Sequence, residues 1–300
     1  MIKTFDQLFD QLRTKAKKKL AVAWGVDTHS ITAVSKAIDE GIVDATLVGD
    51  SDMIAKVCAD EKIDIKKFTI IDNKNEVKSI QEAVTMVHEK KADVLMKGLC
   101  STDKYMHGIL NKDWGLLPPK AVLSHIVLMQ HPNYPRLLTF GDMAVIPLPE
   151  FKQKVAIVKY VVGVCRELGI EQPKIAMIAA TEQMLPAMLA CTEAAQIAKM
   201  SERGQVPGIV DGPLALDVAI SPECAKIKKL KSEVAGNADG LVFPNIESAN
   251  VFYKTNTQLM KGVKTAAVVV GAAAPCVLSS RGDSIETKLN SIAFACLQAR

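Results

Sequence analysis

Short, uninterrupted apolar runs alternate with amphipathic segments through the first hundred residues, and this rhythm leaves few folds open. Leu20–Trp24, Ala45–Val48, Phe68–Ile71 and Val94–Met96 are four such runs. Leu20–Trp24 reads as a strand buried on both faces, and the other three read as strands. Between them lie helical patterns. Asp27-Thr28 opens one with Ile31, Val34 and Ile38 on one side and Gly41 as its stop. Met53–Ala59 is a second, and Glu76–Lys90 a third, with Val77, Ile80, Val84 and Val87 inward. A leading helix capped by Thr4 carries Phe5, Leu8, Phe9 and Leu12 at the same 3.6-residue period. Strand–helix alternation at this spacing predicts βαβ units, a parallel sheet and right-handed crossovers.

The rhythm weakens between Asn111 and Pro149, where six prolines fall: Pro118, Pro119, Pro132, Pro135, Pro147 and Pro149. Two short strands, Ile126–Met129 and Leu137–Phe140, fit there. Beyond it, Phe151–Leu168 predicts a helix beside a strand at Lys174–Ala179. Pro186–Met200 predicts a helix, Ile209–Asp211 a strand, Leu214–Ile220 a helix, Gly240–Phe243 a strand and Ser248–Met260 a helix. The chain closes with a strand at Ala266–Val270, a short run at Cys276–Leu278 and a helix from Ile285 to Gln298. Three hundred residues make two domains the expectation. The divisions expected are 1–143 with 275–300, a discontinuous α/β domain, and 144–274, a second α/β domain.

Several function classes lose weight. There is no G-x-G-x-x-G, G-x-x-x-x-G-K-[ST] or G-x-S-x-G. His29, His88, His107, His125 and His131 have no metal-ligand spacing, so no metal is expected. A net charge of +4 spread along the chain, with no basic face interleaved with aromatics, argues against nucleic acid. No run of about 18 apolar residues predicts a membrane span. Seven scattered cysteines without C-x-x-C, and no apolar leader at the N-terminus, point to reduced thiols in the cytoplasm.

Chemistry concentrates where strands hand over to helices. Ser279-Ser280-Arg281-Gly282-Asp283-Ser284 precedes the last helix. Arg281 could hold a phosphoryl group through two parallel N–H···O bonds, and Ser279 or Ser280 could donate to a developing anion. Helix capping is the competing reading: Asp283 at the N-cap with Glu286 three residues on resembles a capping box. Asp211, before Gly212-Pro213, is a substrate-facing carboxylate or part of a capped turn. Asn245, in Pro244-Asn245-Ile246-Glu247-Ser248, is a binding group or a cap. Lys97–Asp103 offers Lys97, Ser101 and Thr102 to a phosphate, or Ser101 and Thr102 to a helix start. Cys100 there reads as a small buried thiol. Arg136 is a phosphate contact or a solvated charge at a strand start.

Together these residues resemble the phosphate acetyl/butyryltransferase family, and most of all its butyryl-type members. The likeness is carried by Lys199-Met200 with Arg203-Gly204-Gln205, Gly212-Pro213-Leu214-Ala215-Leu216-Asp217, Val234-Ala235-Gly236-Asn237-Ala238-Asp239, Phe243-Pro244-Asn245-Ile246-Glu247 with Phe252-Tyr253-Lys254, Ser280-Arg281, and Glu286-Thr287-Lys288-Leu289-Asn290-Ser291-Ile292-Ala293. The resemblance implies a two-domain α/β fold of the isocitrate/isopropylmalate dehydrogenase-like kind with its active site in the interdomain cleft. It implies acyl-CoA, inorganic phosphate and acyl phosphate as partners, coenzyme A thioester as substrate rather than cofactor, no metal or prosthetic group, and a homo-oligomer. The implied reaction is butyryl-CoA + phosphate ⇌ CoA + butyryl phosphate. Phosphate acetyltransferase and a non-catalytic CoA-binding module are the alternatives.

By the same likeness Ser280 stabilises a thiolate or oxyanion and Arg281 binds the phosphoryl group. Acetyl-type relatives place an aspartate, the proposed thiol base, where this chain has Thr287. That leaves Glu286, Asp283 or no base at all to take the proton. Glu286 points about 100° from Thr287 around the helix. Gly-Pro-Leu-Ala-Leu-Asp looks butyryl-type, so an acyl group of about four or five carbons is expected, with promiscuity, because one methylene in an apolar pocket is worth only ~1–3 kcal/mol.

Overall fold

The structure is a computed structural model and describes residues 1–280 and 282–299. The chain divides into two compact units, each mixed α/β. One comprises Phe5–Leu123 and Lys264–Arg300; the other comprises Met1–Thr4 and Ser124–Val263.

The first unit opens with α1 (Phe5–Arg13), whose Phe5, Leu8, Phe9 and Leu12 are all buried, as their spacing predicts. Strand β1 (Lys18–Ala23), β2 (Val43–Gly49), β3 (Thr69–Asp72) and β4 (Val94–Lys97) are parallel, separated by α2 (Thr28–Asp39), α3 (Ser51–Asp60) and α4 (Glu76–His88). Leu20–Ala23 and all of β4 are buried, which is why these segments lack alternation. After α5 (Thr102–Ile109) the chain leaves this unit and later returns as β10 (Lys264–Val270), β11 (Cys276–Val277) and α11 (Ile285–Gln298). The strand order is β3-β2-β1-β4-β11-β10.

The expected parallel sheet needs correction at β11. It runs parallel to β4 but antiparallel to β10, with Val268 opposite Val277. A tight turn through Gly271 to Ala274 can join only antiparallel neighbours, since a parallel pair needs a crossover. Helix α4 carries a second correction. Ile80, Val84 and Val87 are buried with Ser79 and Ala83, but Val77 is 57% exposed. It lies on the same stripe, in the first turn, before the covered stretch begins.

The second unit holds β5 (Ser124–Gln130), β6 (Leu138–Gly141), β7 (Lys174–Ile178), β8 (Ile209–Leu214) and β9 (Gly240–Val242), in the order β5-β6-β9-β7-β8. Its helices are α6 (Phe151–Glu167), α7 (Leu189–Glu202), α8 (Leu216–Ile220), α9 (Pro222–Ile227) and α10 (Ile246–Leu259). Strands β5 and β6 form an antiparallel pair, and β6, β9, β7 and β8 are parallel. Strand β8 runs on through Gly212-Pro213 instead of stopping at Asp211. Proline is tolerated there because β8 closes the order and has a neighbour on one side only. Helix α7 starts at Leu189, not Pro186, because residues 185–188 form a turn closed by Met188 N–H to Leu185 O at 3.0 Å. Helix α9 escaped the periodicity. Its signal is Ser221-Pro222, a cap followed by proline at the first helical position.

The junctions between units, Leu123/Ser124 and Val263/Lys264, differ from the expected 143/144 and 274/275. Backbone pairing explains both. The ladder of β6 against β9 ties residues 124–143 to later strands. Strand β10 pairs with β11 and takes a bond from Ala267 N–H to Ser291 Oγ of α11, 3.0 Å.

Candidate functional site

In the first unit, β1, β4 and β11 end side by side. Ala23 is level with Lys97, and Met96 with Val277. Each strand is followed by a helix with a side-chain cap: Asp27 on α2, Ser101 on α5 and Ser284 on α11. Three positive helix ends thus follow three neighbouring strand ends, the arrangement that collects anions in open α/β folds. Close packing makes it possible. A Cβ on Gly98 would lie 2.2 Å from Trp24 O, so only glycine lets the β4 loop lie on the β1 loop. Tyr105 of α5 reaches across to donate to Val277 O at 3.2 Å.

The corner before α11 is rigidly tied. Ser280 N–H donates to Asp283 Oδ2 at 2.7 Å, and Asp283 N–H donates to Ser280 O at 3.2 Å. Asp283 is therefore not the N-cap that its position predicted. Ser284 is, accepting from Thr287 N–H at 3.1 Å, because the Asp283 carboxylate is used one turn earlier. Thr287 also bonds Ser284 through its hydroxyl, 3.1 Å. Ser279 is buried, whereas Ser280 is exposed. Arg281 lies outside the described residues.

Lys288 went unnoticed as a functional residue in the sequence reading. Its side chain reaches back from α11, and its Nζ donates to Ser279 Oγ at 3.0 Å and to Ser280 O at 3.4 Å. It is 3% exposed. Burial pulls its pKa below the ordinary lysine range, and the charges of Asp27 and then Asp283 work against that. The signal was present: Lys288, Asn290 and Ser291 lead into an uninterrupted apolar run, residues 292–297, that is buried throughout.

Glu286 sits elsewhere. It forms an ion pair with Lys264 at 2.9 Å and lines a hollow of about 210 Å³ with Asp6, Asp10, Arg13, Glu40 and Asn290. The geometry brings Ser279, Ser280, Asp283 and Lys288 together and keeps Glu286 with α1. Of the other expected residues in this unit, Ser101 caps α5 by accepting from Lys104 N–H at 3.3 Å, and Thr102 is exposed in its first turn. Lys97 is buried, its Nζ donating to Cys100 O at 2.7 Å and Gly98 O at 3.1 Å, so it holds the loop together from within. Burial pushes the Cys100 thiol up to about 11, which suits the inert role expected of it.

Three expected contacts lie in the second unit. Asp211 is held within β8, its Oδ1 accepting from Gly212 N–H at 2.8 Å. Asn245 caps α10 by accepting from Ser248 N–H at 3.0 Å. Arg136 is not a solvated charge. Its Nε pairs with Asp239 at 2.7 Å, and its Nη2 donates to Asn237 Oδ1 at 2.6 Å and Asn237 O at 2.8 Å. The sequence could not reveal this, because Arg136 and Asp239 meet only once β6 and β9 pair.

The family model described as Phosphate acetyl/butaryl transferase matches residues 3–82 and 75–296. A phosphate butyryltransferase of Clostridium acetobutylicum is 44% identical over 300 residues, 100% of this chain and 99% of that protein. A phosphate acetyltransferase of Thermotoga maritima is 39% identical over 295 residues, 98% of this chain and 99% of that protein. A crystal structure of a branched-chain phosphotransacylase from Enterococcus faecalis has a TM-score of 0.82 at 29% identity, covering 94% of this chain and 98% of that one.

Proposed function

The chain belongs to the phosphate acetyl/butaryl transferase family, and from that premise we propose that it moves a short acyl group, butyryl by preference, between coenzyme A and inorganic phosphate. The observation that carries this reading is that three capped helix N-termini follow three neighbouring strand ends, one of them leading through Ser279 and Ser280, which Lys288 binds. Such a place suits an anion, and both phosphate and the tetrahedral intermediate are anions.

In the proposed step a phosphate oxygen bonds to the thioester carbonyl carbon, and the carbonyl electrons move onto oxygen. Collapse restores the C=O bond and breaks the C–S bond. Coenzyme A leaves as a thiolate, which takes a proton from solvent. Ser280 donates to the oxyanion or thiolate, and Arg281 binds the phosphoryl group. Ser279, Asp283, Ser101 and Thr102 line the anion side of the site. In the reverse direction the thiol must lose its proton. Glu286 is paired with Lys264 beside α1, whereas Asp283 is bonded to Ser280 itself, so Asp283 or unassisted ionisation is the simpler course. Holding both substrates in attack geometry supplies much of the remaining rate.

The test is phosphate-dependent release of free CoA thiol from butyryl-CoA, followed with a thiol reagent. CoA binding without release would make the chain a binding module. The 39% likeness to an acetyltransferase keeps acetyl-CoA as a second reading. A kcat/KM for acetyl-CoA more than roughly tenfold above that for butyryl-CoA would decide for it. Arg281→Ala is expected to raise the KM for phosphate by at least about tenfold, since one charge-assisted pair to an anion is worth about 1.5–3 kcal/mol. Steady-state kinetics at varied phosphate check this, and an unchanged KM would remove Arg281 from the phosphate site. We place this activity in the cytoplasm, in keeping with seven free cysteines, and assign it to a homo-oligomer.

A further inference from the structure

We propose that Lys288 is a positioning residue for acyl transfer, whose ammonium fixes the Ser279–Ser280 corner so that its donors face the reacting carbonyl; this rests on the reaction argued above. Two bonds tie Lys288 to that corner, Nζ to Ser279 Oγ at 3.0 Å and Nζ to Ser280 O at 3.4 Å. Ser279 accepts from an ammonium that has no lone pair to offer, so its own hydroxyl proton is directed away from Lys288. The backbone of Ser280 is gripped from both ends, its carbonyl by Lys288 and by Asp283 N–H, its N–H by the Asp283 carboxylate. Ser280 therefore has both its backbone N–H and its carbonyl bonded.

Lys288 is a buried amine whose bonds to Ser279 and Ser280 are to oxygen atoms. A buried ammonium is strongly unfavourable unless it is paired, and an apolar side chain of similar length would fill the same space at less cost. The fold supplies the counter-charge instead. Asp27 caps α2 with Oδ1, accepting from Ser30 N–H at 3.0 Å, while its Oδ2 is buried without a hydrogen-bond partner. Asp27 and Asp283 are the two carboxylates whose fields favour the charged lysine. Lys288 thus joins α11 to the segment that follows β11, the strand beside β4. Its two bonds go to the pair of serines that a developing anion would meet.

The experiment is the butyryl-CoA thiol-release assay on Lys288→Met, with kcat and KM measured separately for each substrate. The expected result is a kcat lowered on the order of 10²-fold, the scale of a small misplacement of reacting groups. KM for phosphate and for butyryl-CoA should stay within about threefold, and the melting temperature should be unchanged or higher. Combined with Ser279→Ala, Lys288→Met should cost no more than the larger single loss, because both act through one corner. If Lys288→Met does not fold, Lys288→Gln and Lys288→Arg take its place: Arg should keep at least about tenfold more kcat than Gln, since it keeps the charge. A folded Lys288→Met with wild-type kcat, losses that multiply in the double variant, or equal kcat in Gln and Arg overturns the role of Lys288 alone. An inactive wild type overturns the reaction itself and this inference with it.

Discussion

Ser280→Ala is expected to lower kcat for phosphate-dependent CoA release by about 10²-fold, the loss that follows removal of one oxyanion donor. The structure explains why the loss should be purely catalytic. The Ser280 hydroxyl is exposed, and the backbone around it is held by Asp283 and Lys288, not by the hydroxyl. Removing one exposed oxygen should therefore change stability by no more than ~0.5 kcal/mol. Rate and thermal unfolding measured together separate the two effects. A kcat near wild type would assign Ser280 to the architecture of the corner. A loss of rate accompanied by a fall in melting temperature would mean that the corner itself had loosened.

Asp239→Ala is expected to destabilise the protein by about 3–5 kcal/mol, the cost of leaving a largely buried charge without its partner. Asp239 is 6% exposed, forms an ion pair with Arg136 at 2.7 Å and accepts from Lys174 N–H at 2.9 Å. Its loss strands the Arg136 guanidinium against Asn237 and the Tyr134 ring, 5.7 Å from the ring centroid. Denaturant unfolding measures the loss. The double change Arg136→Met with Asp239→Leu should recover most of it, because two apolar groups leave no orphaned charge. Phosphate KM should be unchanged in that double variant. A rise of about tenfold in the folded double variant would return Arg136 to the substrate site.

These two expectations mark how far the chain could be read directly. Helix α11 was legible to its end residues, Ile285 and Gln298, because both its apolar period and its stop are local. The buried strands were legible because a strand covered on both faces has no polar alternation to hide it. What was not legible depended on partners distant in the chain. The capping box assigned to Asp283 and Glu286 obeyed every local rule. It lost because Ser280 N–H and Lys264 offered both carboxylates other partners. Parallel pairing follows from strand–helix alternation, and β5–β6 and β10–β11, joined by short connections without a helix, are antiparallel.

The sequence by itself determined the order and type of most elements, the strand-to-helix corners and the family likeness. Periodicity, capping and motif order are properties of neighbours along the chain, so no folding is needed to see them. Only the tertiary structure decided which partner each charged group takes. It placed Arg136 on Asp239, Glu286 on Lys264, and Lys288 beneath the two serines. A charge chooses its partner by distance in space, and burial strengthens that choice by removing the water that would otherwise compete.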